Sequence, residues 1–105
     1  MDRGEVWWGY FPPQIGTRPA LLLSRSRVYS VRPSVSVALI TTTVRGIRVE
    51  VPLGPEDGMR RRCVVNGDEV HTIPITMLDN YETKLSLAKM DAVADAIRYA
   101  LDMEC

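Results

Sequence analysis

A single histidine and two cysteines, Cys63 and Cys105, are too few and too far apart to hold a metal, so no metal or other cofactor is expected. Two cysteines do not make a disulfide framework either, and both are expected as reduced thiols. Long hydrophobic runs are missing. The longest, such as Ala20 to Leu23, fall far short of the roughly 20 apolar residues that cross a bilayer. No basic segment followed by an apolar one opens the chain, which points to a cytoplasmic protein without a membrane partner. Internal repeats, low-complexity tracts and linkers are also absent. The 105 residues are therefore read as one domain, 1–105, large enough to bury a single core.

The most informative absence is lysine. Residues 1–62 contain none, while ten arginines stand against five acids, leaving that stretch at +5. Residues 63–105 carry three cations against eight acids, so the whole chain is neutral. A planar guanidinium forks onto phosphate and stacks on bases, which an ammonium does not. The first part of the chain thus suits an anionic partner, although solvated surface arginines would give the same composition.

What is present centres on Val35 to Thr43, a β-branched apolar run that ends in three hydroxyls. Val, Ile and Thr are stiff at χ1 and fit a pleated surface, so the run is predicted to be a central strand. Thr41, Thr42 and Thr43 place small donors and acceptors where that strand ends, a place for an oxyanion or phosphate. Threonine is also a good strand former at a sheet rim, and the run alone leaves both readings open.

Upstream, Val6 to Phe11 reads as an aromatic strand. Neighbours on a strand alternate, so Trp7 and Trp8 must face different surfaces. Pro12 to Thr17 is a loop, and Arg18 to Ser24 a second strand with Pro19 at its tolerant start. In antiparallel neighbours the start of one strand lies beside the end of the next, which sets Arg18 beside Thr41. Ser24 to Arg27 and the loop through Tyr29, Arg32 and Pro33 form a basic stretch where nucleic acid could pass, with Arg25 and Arg27 on phosphates and Tyr29 stacking.

After the central strand, Val44-Arg45-Gly46 is predicted as a tight hairpin turn into an alternating strand, Ile47 to Val51. Arg60 to Arg62 is read as a solvated edge. Cys63 to Asn66 is a short strand, Gly67-Asp68 a turn, and Glu69 to Ile73 the last strand, closed by Pro74. His71 in that strand suits a structural role. Thr76 to Tyr81 is predicted as a helical turn. A helix from Leu87 to Met103, capped by Ser86, carries Leu87, Met90, Val93, Ala94, Ile97, Ala100 and Leu101 on one stripe and is about 25 Å long. About six short strands and one helix make a mainly β fold, a small antiparallel barrel with a C-terminal helix.

In this order the motifs become recognisable. Arg3-Gly4-Glu5-Val6-Trp7, Arg18-Pro19-Ala20-Leu21-Leu22-Leu23-Ser24, Ala38-Leu39-Ile40-Thr41, Val49-Glu50-Val51-Pro52, Cys63-Val64-Val65-Asn66, His71-Thr72-Ile73-Pro74 and the terminal amphipathic helix together resemble the MazF/PemK (Kid) family. The resemblance runs over essentially the whole chain. It implies an SH3-like antiparallel β-barrel of the CcdB/Kid/MazF kind, acting as a homodimer. It further implies a ribosome-independent, sequence-specific endoribonuclease, the toxin of a type II toxin–antitoxin pair, with single-stranded RNA as substrate and a cognate antitoxin as partner.

Carried over by position, the resemblance makes Arg18 the catalytic arginine and Thr41 the catalytic hydroxyl, in a metal-free attack of the ribose 2′-hydroxyl that leaves a cyclic phosphate and a 5′-hydroxyl. RNA contacts are expected from Gln14, Thr17, Arg25, Arg27, Tyr29, Thr42, Thr43, Arg48 and His71. Departures flank the same groove. Thr42-Thr43 stands where many members have Ser or Thr followed by Gln, His71 stands where many have Arg, and the Pro12 to Thr17 loop is short, so the cut sequence does not transfer. A gyrase-poison-like toxin or a non-catalytic SH3-like nucleic-acid-binding module would share the fold, but neither needs Arg18 beside Thr41.

Overall fold

A computed structural model describes residues 1–103. Cys105, expected as a reduced thiol, lies outside the described residues. Six strands and one helix follow in order: β1 (Glu5–Tyr10), β2 (Thr17–Leu22), β3 (Ser34–Thr41), β4 (Glu50–Leu53), β5 (Cys63–Pro74), β6 (Leu78–Lys84) and α1 (Leu87–Ala100). The strands form one sheet in the order β4-β5-β3-β2-β1-β6, every pair antiparallel. It curls into a half-barrel, the mainly β architecture expected from the sequence.

The central strand is β3, continuously apolar from Val37 to Ile40, where both its faces are buried. Ala38 and Ile40 join Val6, Leu21, Val51, Leu53 and Val65 on the concave side, which α1 closes with Met90, Val93 and Ala96. Val35, Val37 and Leu39 turn to the other side, joining Ala20, Leu22, Ile73 and Leu78 beneath Trp7, Phe11, Val28 and Tyr29. Trp7 and Trp8 do face different surfaces. Trp7 stacks edge-on against Tyr81 at 5.9 Å, and Trp8 lines the cavity described below.

Helix α1 begins where expected, with the Ser86 hydroxyl accepting from the Lys89 amide at 3.2 Å. It stops at Ala100 rather than Met103, with Asp102 already in the left-handed region at φ 55°. Leu87 and Leu101 are exposed and Ala96 is buried, so the apolar stripe sits a little off the one expected.

Three local expectations are overturned by backbone pairing. No hairpin forms at Val44-Arg45-Gly46: β4 starts only at Glu50 and pairs with β5, not β3. Side chains take the backbone donors that a hairpin would have used. Thr41 Oγ1 accepts from the Thr43 amide at 3.1 Å, and the Glu50 carboxylate accepts from the amides of Arg45 at 3.0 Å and Gly46 at 2.9 Å. Gly67-Asp68 is not a turn between two strands. β5 runs on through it as a bulge, the pairing with β3 jumping from Ala38–Val70 to Ile40–Val65. A Cβ on Gly67 would meet the Val49 carbonyl at 3.0 Å and the Ala96 backbone at 3.2 Å, so the bulge can tuck under the helix only with glycine there. Thr76 to Tyr81 holds the end of a single 3₁₀ turn, Ile75–Met77, followed by β6 on the edge beside β1. Only Leu78 of β6 is buried, which is why the strand lacks an apolar alternation to be read.

Candidate active site

The β2–β3 ladder pairs Ala20 with Leu39 and Leu22 with Val37. The observed ladder ends at Ala20–Leu39; Arg18 lies two residues beyond it at the start of β2 and Thr41 two residues beyond it at the end of β3. The antiparallel arrangement leaves both at the same end of the β2–β3 pair, and strand alternation points both toward the face of Ala20 and Leu39. On the other flank Arg18 pairs with Gly9 of β1, and the Phe11 ring lies over that glycine, so close that a Cβ there would stand 2.5 Å from the ring. Arg18 is thereby set between a backbone free of side chain and the end of β3, its side chain a third exposed (32%). Its guanidinium faces Glu69 Oε2 at 3.6 Å.

Thr41 accepts the Thr43 amide N–H, so its own proton is left to donate. Thr42 and Thr43 are exposed beyond the strand end. A fixed cation and a hydroxyl donor on neighbouring strand ends can hold two oxygens of one phosphate and favour the added charge of a pentacovalent phosphorane.

Pro19 and Ile40 alternate with Arg18 and Thr41, and on their side the strand ends open into a cavity of about 310 Å³. Its walls are Trp8, Pro19, Ile40, Met59 and Cys63, and Thr41, Thr42, Arg60 and Arg61 also line it. The Trp8 indole donates to Glu82 at 3.2 Å, which orients the ring, and the exposed Arg60 faces the same carboxylate at 3.8 Å. Burial pushes the Cys63 thiol up from its ordinary range, with Asp57 and Glu82 adding to the effect. Arg60 and Arg61, read from sequence as a solvated edge, are thus brought to the Thr41 end of the molecule by the loop before β5. Their run was visible in the sequence but its destination was not.

The other expected RNA-contacting residues divide in two. Gln14 is exposed in the β1–β2 loop, and Thr17, opposite Tyr10, opens β2 next to Arg18. His71 is exposed on β5 opposite Val37, on the same face as Arg18 and Thr41. Arg25 and Arg27 are exposed but follow the far end of β2, beyond the strand end opposite the one that carries Arg18. Tyr29 is not free to stack: it packs against the outer cluster and donates its hydroxyl to the Ser24 carbonyl at 3.0 Å. Desolvation pushes its phenol up to about 12. Arg48 is drawn away altogether, lying over the Tyr99 ring of α1 at 4.3 Å. Sequence reasoning missed Glu69 and Asn66, which the β5 bulge carries to Arg18.

The model of the PemK-like, MazF-like toxin of type II toxin–antitoxin systems matches residues 2–101. A probable endoribonuclease MazF5 of Mycobacterium tuberculosis is 39% identical over 101 residues, covering 95% of this chain and 92% of the relative. An endoribonuclease MazF3 of the same organism is 39% identical over 87 residues, 83% of this chain and 84% of its own length. Among solved structures, the Mycobacterium tuberculosis toxin MazF-mt6 superposes with a TM-score of 0.88 at 34% identity, covering 96% of this chain and 99% of that one. A mycobacterial endoribonuclease in complex with its cognate antitoxin gives 0.85 at 27% identity, covering 100% and 98%.

Proposed function

Since this chain belongs to the PemK-like, MazF-like toxin family of type II toxin–antitoxin systems, we propose that it is a sequence-specific endoribonuclease toxin acting on single-stranded RNA. The observation that carries the reading is the antiparallel pairing of β2 with β3, which leaves Arg18, at the start of one, and Thr41, at the end of the other, at the same end of the pair. A guanidinium offers five donors and no acceptor, so Arg18 serves as a clamp on the scissile phosphate rather than as a base. Thr41 donates its hydroxyl proton to a phosphoryl oxygen. The ribose 2′-hydroxyl attacks the adjacent phosphorus in line, giving a 2′,3′-cyclic phosphate and a 5′-hydroxyl without a metal, and only RNA supplies that hydroxyl.

The Trp8 cavity with Arg60 and Arg61 at its edge offers a flanking nucleotide an apolar slot and a phosphate contact. The protein works as a homodimer in the cytoplasm, held in check by a cognate antitoxin whose disordered acidic segment lies over the exposed arginines and displaces RNA. Among the described residues no helix is long and apolar enough to cross a membrane.

The test is to incubate a long mixed RNA with the purified protein in EDTA and map 5′-hydroxyl ends by sequencing, wild type beside Arg18→Ala. Cuts at one short motif are expected from wild type, with the variant slower by about 10²–10³-fold. A fully active Arg18→Ala would overturn the site, and a folded wild type that binds RNA without cutting it would overturn the activity.

A further inference from the structure

The reaction proposed above needs a group to take the proton of the attacking 2′-hydroxyl, and neither Arg18 nor Thr41 is a base. We propose that Glu69 is that proton acceptor: its carboxylate, carried on the β5 bulge and held between Asn66 and Arg18, removes the 2′-hydroxyl proton. This rests on the ribonuclease reading and extends it to a residue that a regular strand would not have brought there.

The bulge is the first support. Bulges beside active sites re-aim a side chain, and this one, Asn66 to Glu69, falls where β5 passes the end of β3 that carries Thr41. The second is the hold on the carboxylate. Asn66 is the one buried polar residue among those described. Its Oδ1 accepts from the Asp68 amide at 2.9 Å, which orients the amide group, and its Nδ2 donates to Glu69 Oε1 at 3.2 Å. The other oxygen, Oε2, faces Arg18 at 3.6 Å and remains partly exposed to substrate.

The third support is electrostatic. Arg18 from β2 is the cation that faces Glu69. β3 carries no titratable side chain. Glu50 of β4 is spent on the amides of Arg45 and Gly46, and Asp95 and Arg98 of α1 pair with each other at 2.9 Å. Asp68 and His71, both exposed, are the charged or titratable neighbours on β5 itself. When the scissile phosphate takes Arg18, Glu69 loses part of its counter-charge and gains an anion nearby. That frees the carboxylate oxygen that faced the guanidinium to meet the 2′-hydroxyl.

In the step itself the 2′-oxygen–phosphorus bond forms as the bond to the 5′-oxygen breaks. The 2′-hydroxyl proton passes to Glu69, the departing 5′-oxygen takes a proton from water, and Glu69 returns its own to solvent. Arg18 and Thr41 hold phosphoryl oxygens throughout.

The experiment uses the full chain in EDTA and a short RNA bearing the mapped cut site, with single-turnover rates measured across pH. Affinity is read on the same oligonucleotide carrying a 2′-deoxy sugar at the cut. Glu69→Gln keeps the size and the Asn66 contact but cannot take a proton. It is expected to cleave about 10²–10⁴-fold more slowly, with unchanged affinity and no acidic limb in its pH–rate profile. Glu69→Ala is expected to regain part of its rate in acetate and none in chloride. Glu69→Gln within about threefold of wild type would overturn the assignment. So would faster cleavage with tighter binding, which would make the carboxylate a shield over Arg18. A slow variant that keeps the acidic limb and ignores acetate would reduce Glu69 to a structural role. A wild type that cuts nothing is the separate failure of the ribonuclease reading, visible before any variant is made.

Discussion

At the scale of single residues, Thr41 shows how a side chain can be structural and still available. Its oxygen accepts the Thr43 amide at 3.1 Å and helps end the strand, while its proton points to no protein acceptor among the bonds described. Thr41→Val removes the donor without changing the volume, and cleavage is expected to fall about 10²–10³-fold. Thr41→Ser should keep most of the rate. Single-turnover rates on one mapped RNA separate the two, and equal rates for Val and Ser would remove the hydroxyl from the site. The positions of Thr41 and Arg18 at strand ends were legible because each borders a strongly patterned strand. The contacts of Tyr29 and Arg48 were not legible, because their neighbours, the Ser24 carbonyl and the Tyr99 ring, come from the tertiary arrangement.

Among the elements, α1 is the lid of the concave core. It packs Met90, Val93 and Ala96 against β4 and β5 and owes its start to Ser86. Ser86→Ala leaves the first-turn amide of Lys89 without its acceptor and is expected to cost about 1 kcal/mol, a fall in Tm of about 4–8 °C. Thermal melts followed by circular dichroism would check it, with cleavage at low temperature unchanged, since the cap lies outside the proposed site. An unshifted melt would mean that packing alone holds the helix. β5 does two jobs. Its regular half completes the sheet, and its bulge brings Glu69 to Arg18. The sequence marks the bulge only by Asn66-Gly67-Asp68, which reads equally well as a turn.

For the whole molecule, the charge division along the chain does not survive folding. Arg18 meets Glu69, Arg60 meets Glu82 and Lys84 meets Asp2, each pair joining the arginine-rich stretch to the acidic one. The Asp2 contact ties the start of the chain to β6 and to Ser26. The hydrogen bond from Ser26, then that from Lys84, draws the Asp2 carboxyl from 3.8 down to about 2. A carboxyl lowered in the folded state stabilises above its unfolded pKa, and that stabilisation is lost as pH falls through the folded value. Unfolding midpoints in urea should therefore drop between about pH 4 and about pH 2, and Asp2→Asn should flatten that interval. Equal slopes for the two proteins would show that solvent screens the contact.

By itself the sequence determined what short-range chemistry decides. An aromatic run made β1, a leucine-rich one β2 and a β-branched one β3, Ser86 and a helical stripe made α1, and strand direction put Arg18 and Thr41 at the same end of the β2–β3 pair. The tertiary structure alone decided which strand β4 pairs with, that the polar stretch Leu78–Lys84 is a sheet edge, and where the Arg60-Arg61 loop and the Glu69 bulge arrive. Those outcomes depend on backbone hydrogen bonds and packing between segments distant in the chain. A local pattern carries no record of its partner.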